Sequence, residues 1–154
     1  MKIRLVCDED YPAIARLRRQ TIHHVNSKDY SEEVIDNWAA KVGSQNFRKS
    51  ADTCKRWVAM KEDTIIGFCE HTFECEVSRM YVHKDHLRKG VGSCLLEIAE
   101  NSLKKQGCKK IHIESTVTAK DFYEKNGYKV IEKALYKGNM DEPIYKMTKK
   151  LSGT

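Results

Sequence analysis

The residues that promise chemistry are gathered in one run, Tyr81-Val82-His83-Lys84-Asp85-His86-Leu87-Arg88-Lys89-Gly90-Val91-Gly92-Ser93. A strand pattern ends, a basic turn follows, and a helical pattern opens on two closely spaced glycines. Glycine lets successive backbone N–H groups converge on one point, and a helix N-terminus adds positive potential there. Pyrophosphate is the natural guest of such a turn. Glycines also open many helices that bind nothing, so on these two residues alone an ordinary loop-to-helix turn competes on equal terms. Other phosphate loops do not fit: the chain has no G-x-x-x-x-G-K-[ST] and no third glycine for a dinucleotide fingerprint.

The elements that must hold this loop follow from periodicity. Residues 2–6 read as a strand. Asp10 is placed to cap a helix with Pro12 in its first turn, and Ile14, Leu17, Thr21 and Val25 share one face. Ser31 is placed to cap a second helix, with Glu32 and Glu33 favourable at its positive end. Val34, Ile35, Trp38, Ala39 and Val42 make its buried stripe, and residues 43–54 read as loop. Residues 56–60 and 65–69 form a hairpin around 61–64, and a further strand covers about 75–82. Val91, Cys94, Leu95, Ile98 and Ser102 share a face of the next helix, which Gly107 ends. Residues 111–114 alternate as a strand, and 119–126 read as a short helix stopped by Gly127. Two strands, 128–136 and 144–151, close the chain. The order β-α-α-β-β-β-α-β-α-β-β gives a mixed α/β (α+β) fold with one parallel crossover, which is neither doubly wound nor a barrel.

In that setting the glycine loop resembles the acetyl-CoA-binding motif of the GNAT (Gcn5-related) N-acetyltransferase superfamily, [R/Q]-x-x-G-x-[G/A] after a strand ending in apolar-x-Val. Gly90 and Gly92 fill both small positions, while Leu87 stands where Arg or Gln is expected. Arg88 and Lys89 keep positive charge at the turn. The run Ala119-Lys120-Asp121-Phe122-Tyr123-Glu124-Lys125-Asn126-Gly127-Tyr128 is similar to the family's N-x-x-A-x-x-[F/L]-Y-E-x-x-G-[F/Y] segment, with Thr116 in place of the Asn. Asp29-Tyr30-Ser31, Trp38-Ala39 and the run from Ser115 to Lys120 look like a bacterial-type subgroup of unknown acceptor. The resemblance covers nearly the whole chain. It implies one domain over 1–154, with a mostly antiparallel central sheet flanked by about four helices. It also implies acetyl-CoA as cosubstrate, no metal, and direct attack by a primary amine, of a small molecule or a peptide, in a ternary complex. The implied cofactor-binding residues are Met80, Tyr81, Val82, Leu87, Arg88, Lys89, Gly90, Val91, Gly92, Ser93 and Thr116.

Roles in catalysis come from the same resemblance. Tyr123 matches the phenolic general acid that protonates the departing thiolate, whose ordinary pKa is ~8.5. Glu76 matches the catalytic glutamate of histone-modifying members, a general base for the ammonium, and Glu114 is the second choice. Read without the family, Tyr123 is a core tyrosine and either glutamate a solvated strand carboxylate. Glu70, Glu74 and Glu76 equally form an acidic wall that attracts a cationic amine. His24, Tyr30 and Trp38 are candidates for the acceptor groove, which the first two helices border in the family. Residues 137–143 are expected to help shape that pocket. His23, His24, His83 and His86 lack a convincing ligand set and read as surface histidines.

Composition narrows the remaining classes. The net charge is +6, yet residues 1–100 carry as many acids as bases, so the surplus lies in the last 54 residues, which hold 12 Lys and no Arg. That disfavours base reading and hence a nucleic-acid partner. Lys104, Lys105, Lys109 and Lys110 are instead placed to meet the outer phosphate of CoA. No run approaches the ~18 apolar residues of a membrane span, and no apolar signal region opens the chain. The six cysteines, without any C-x-x-C, therefore read as reduced thiols of a cytoplasmic protein. A homodimer is compatible with such a fold. The competing class is a non-catalytic CoA-binding sensor or interaction module, for which Leu87 and Thr116 speak.

Overall fold

The strongest strand alternation, in the middle of the chain, folds back on itself as a hairpin of β2 (Cys54–Lys61) and β3 (Thr64–Thr72). Glu62, at φ 56°, turns it in the left-handed region. The structure is a computed structural model and describes residues 1–24, 31, 51–135 and 143–151. Around the hairpin lie β1 (Lys2–Leu5), β4 (Glu76–Val82), β5 (Lys110–Thr116), β6 (Lys129–Leu135) and β7 (Pro143–Lys150). They form one seven-stranded sheet in the order β1-β2-β3-β4-β5-β7-β6, antiparallel throughout except between β4 and β5.

Three α-helices are described, α1 (Tyr11–His24), α2 (Val91–Gln106) and α3 (Lys120–Lys125). Each face of the sheet has its own apolar cluster. On one, Leu95, Leu96, Ala99 and Leu103 of α2 cover Trp57, Ala59, Cys69, Val77, Ile111 and Ile113. On the other, Ile14 and Leu17 of α1 cover Val58 and Phe68. A fully buried leucine such as Leu95 contributes roughly 2 kcal/mol through the apolar area it removes from water. The fold class and the order of the described elements agree with the sequence reading. No described helix is long and apolar enough to cross a membrane.

Several local expectations are corrected. The Asp10 carboxylate does not serve the start of α1; it accepts from the Cys7 N–H at 2.8 Å and pairs with Arg4, also at 2.8 Å, closing a 3-10 turn over Asp8–Asp10. Residues expected as loop up to 54 include a 3-10 turn, Ala51–Thr53, and the first residue of β2. Cys94 is exposed; Val91 and Leu95 are buried as expected, and the buried stripe of α2 continues through Leu96, Ala99 and Leu103. The cysteines are not all reduced: Cys75 and Cys108 form a disulfide across 33 residues, their Cα atoms 5.8 Å apart. Sequence spacing could not pair them, because the turn before β4 and the turn after α2 meet only in the folded sheet. Val25, the second helix over residues 32–42, and residues 43–50 and 136–142 lie outside the described residues.

Candidate active site

The site begins with an irregularity in β4. This strand pairs with β3 from Gly67↔Val82 to Glu70↔Arg79, and the next pair is His71↔Val77. Ser78 is therefore an extra residue, a β-bulge, and bulges bend and twist the strand that carries them. On the other side, β4 pairs with the parallel β5 only through Glu76↔His112 and Val77↔Ile113. The ladder stops where the bulge begins. Beyond it the two strands part, and the gap opens into a cavity of about 420 Å³. Ser78, Arg79, Met80 and Tyr81 line one side, Glu114, Ser115 and Thr116 the other. Along this edge of β4 the backbone groups face the cavity instead of a strand. They remain available to hydrogen-bond an extended guest.

Tyr123, presented by α3, closes the cavity together with Ala119 and Ile144. Its ring packs edge-on against Phe122 and Tyr128, with centroids 5.1 and 5.7 Å away. Burial raises its pKa well above the ordinary phenol, so Tyr123 stays protonated at physiological pH. The Thr116 hydroxyl accepts from the Ala119 N–H at 3.2 Å, fixing the turn that delivers α3 to the cavity. That is work the sequence reading did not give it.

Three carboxylates reach the cavity, and they are not equivalent. Glu70 is buried and takes Arg56 Nε at 2.6 Å, so its charge is compensated. Glu76 and Glu114 are in no ion pair among the described residues. Burial, followed by the charge of Glu114, raises the pKa of Glu76. The expected acidic wall is thus corrected: Glu70 is neutralised in the core and Glu74 is an exposed turn residue, which leaves Glu76 with Glu114. Tyr81 stacks on Phe68 at 5.7 Å, and burial raises its pKa against the opposing effect of Arg18.

The glycine loop lies just beyond the open end of β4. A 3-10 turn, Lys84–His86, follows His83, whose Nδ1 accepts from the Asp85 N–H at 3.1 Å. Arg88 and Gly90 both adopt left-handed backbone, φ 61° and 83°. Gly90 caps α2, and the first intrahelical bond runs from the Cys94 N–H to the Gly90 carbonyl at 3.0 Å. The N–H groups of Val91, Gly92 and Ser93 therefore point out of the helix end. A Cβ on Gly92 would stand 3.1 Å from Phe122 and 3.6 Å from Val82, so glycine lets α2 start tight against both. Three outward N–H groups beside an unpaired strand edge suit a pyrophosphate followed by an extended, amide-bearing arm.

Of the candidates from sequence, Met80, Tyr81, Glu76, Glu114, Thr116 and Tyr123 line one cavity. Val82 and the residues from Leu87 to Ser93 adjoin it as the loop, with Leu87 exposed. Tyr30 and Trp38 lie outside the described residues, as does the side chain of His24. Lys104 and Lys105 occupy the last turn of α2, roughly 20 Å along the helix from the glycine loop at 1.5 Å per residue, which corrects their expected role. Ser78 and Arg18 were missed. The signal for Ser78 was present: Val77-Ser78-Arg79-Met80 spaces its apolar residues by three where a regular strand spaces them by two.

Comparison with known proteins adds to this geometry. A family model described as an acetyltransferase (GNAT) domain matches residues 26–151. A protein named spermidine N(1)-acetyltransferase from Thermoplasma acidophilum is 28% identical over 144 residues, covering 84% of this chain and 89% of that protein. The crystal structure of the PaiA N-acetyltransferase from the same organism, in complex with coenzyme A, superposes with a TM-score of 0.78 at 25% identity, covering 98% of this chain and 100% of that one. A GCN5-related N-acetyltransferase structure from Rhodopseudomonas palustris reaches a TM-score of 0.91 at 23% identity, over 97% of this chain and 95% of that one.

Proposed function

Because the chain belongs to the GNAT acetyltransferase family, we propose that it transfers an acetyl group from acetyl-CoA to a primary amine by direct attack, with a small polyamine as acceptor. One observation carries the reading: β4 and β5 part beside the glycine loop, and the gap holds Tyr123, Glu76 and Glu114 together. Acetyl-CoA supplies the acetyl thioester. The outward N–H groups of Val91, Gly92 and Ser93 receive its pyrophosphate, with Arg88 and Lys89 adding positive charge. The open edge of β4 at Met80, Tyr81 and Val82 holds the pantetheine arm, and a strand N–H there polarises the carbonyl. Tyr123, kept protonated by burial, donates to the leaving thiolate. Glu76, whose raised pKa suits proton acceptance, deprotonates the attacking ammonium, and Glu114 supports it.

The preference for a polyamine rests on charge. Two carboxylates that no described residue neutralises serve an acceptor with more than one ammonium: one takes up a proton while the other holds the second cation. The relative named for spermidine supports the same class. Release of thiol from acetyl-CoA, measured across aliphatic monoamines, diamines, spermidine, spermine and lysine-containing peptides, tests the proposal. It is expected to show kcat/KM for polyamines about two- to fivefold above monoamines, as one further ion pair at the exposed Glu114 gives. No thiol release with any amine would contradict it and leave a CoA-binding module. Equal use of monoamines would remove the charge argument.

A further inference from the structure

The geometry points to Ser78, latched by Glu70, as a positioning residue that holds β4 open for the acetyl donor. The inference rests on the transferase reading above. A bulge residue is dropped from the strand ladder, so something else must fix it. Here the Ser78 hydroxyl donates to Glu70 Oε1 at 2.7 Å. The other carboxylate oxygen, Oε2, accepts from Arg56 Nε at 2.6 Å, and Arg56 reaches the Tyr11 hydroxyl of α1 at 3.3 Å. Arg79 Nε stands 3.5 Å from Oε1. The bulge is thereby tied through β3 and β2 to the helix beneath the sheet.

This anchor matters for chemistry because of where it sits. Ser78 is the first residue of β4 beyond the two pairs that join it to β5. Residues after it, Met80 and Tyr81, present the open edge to the cavity. A one-residue slip in register turns every side chain and N–H to the opposite side of a strand. A β4 that lost the latch would be free to absorb Ser78 into the ladder and rotate the N–H groups aimed at the donor. The Ser78 residue itself is exposed, so its loss removes the latch with little loss of packing.

The experiment compares the native chain with Ser78→Ala and Ser78→Thr, the second of which keeps a hydroxyl. Melting temperature, CoA dissociation constant by calorimetry, and kcat and KM for the preferred amine are read for each. Expected for Ser78→Ala are a kcat about tenfold lower and a CoA dissociation constant about fivefold higher, with KM for the amine unchanged, since sub-ångström misplacement is felt in turnover. Ser78→Thr should restore both values to within about twofold. Native kcat and CoA affinity in Ser78→Ala would overturn the inference. So would Ser78→Thr impaired as much as Ser78→Ala, which would mark a packing effect. A native chain that neither binds CoA nor releases it from acetyl-CoA would sink the transferase reading and the latch with it.

Discussion

The two sides of β4 are built differently. Toward β3 the strand is zipped from Val82 down to Val77, with one bulge. Toward β5 it is joined by two residue pairs and then stands apart. The zipped side has a buried ion pair and the apolar packing of both faces behind it. The open side has the cavity, the uncompensated carboxylates and Tyr123. A sheet gains stability by completing its ladders, and this one leaves a ladder incomplete beside the glycine loop, where we propose that the donor lies. Stability and chemistry are thus divided between the two edges of one strand.

Breaking the zipped side should have the largest effect. Glu70→Ala leaves the Arg56 guanidinium buried without its carboxylate, and loss of about 3–5 kcal/mol is expected in denaturant unfolding. Next is the paired base of the open side, which the Cys75–Cys108 disulfide fastens one residue before Glu76. Replacing both cysteines by serine should cost about 3 kcal/mol, seen as a melting temperature roughly 6–12 °C lower.

Glu70 and the disulfide show what sequence could and could not tell. The hairpin and α2 with its terminating Gly107 were legible because their signals are local. The glycine loop was legible for the same reason, since it is one continuous segment. Glu70 was misread as wall because a charged residue in a strand is normally solvated, and its partner Arg56 lies on a different strand. The disulfide joins turns that only the sheet topology brings together. Tyr123 and Glu76 were singled out through family spacing and Glu114 by its place at the end of the next strand; that Glu76 and Glu114 share a cavity required the parting of β4 and β5, which the polar pair Ser78-Arg79 announced only faintly.

Cutting the open side alone should leave stability intact. Tyr123→Phe keeps the ring packing and removes the proton donor, so kcat should fall about 100-fold with the melting temperature unchanged. A native kcat would take Tyr123 out of the mechanism. The smallest effect belongs to a pair remote from both sides of β4. The hydrogen bond from Arg4 holds the Asp10 carboxyl at about 2, below its ordinary 3.8, with burial opposing and the Cys7 N–H assisting. A lowered carboxylate pKa stabilises in full above the unfolded value and is lost as pH falls through the folded one. Stability at neutral pH should therefore exceed that at pH ~2 by about 1–2 kcal/mol from this pair, with allowance for the partly exposed Arg4. Asp10→Asn should remove that increment without altering turnover, and unchanged acid sensitivity would show that the pair contributes nothing.

Amide hydrogen exchange of the native chain with and without CoA tests the central claim most directly. Protection is expected at Met80 and Val82, whose N–H groups face the open edge of β4, and at Val91, Gly92 and Ser93 at the start of α2, with Tyr81, already bonded to β3, and the zipped residues of β3 unchanged. Saturating CoA that leaves those amides unprotected, or protects a different part of the sheet, would contradict the account.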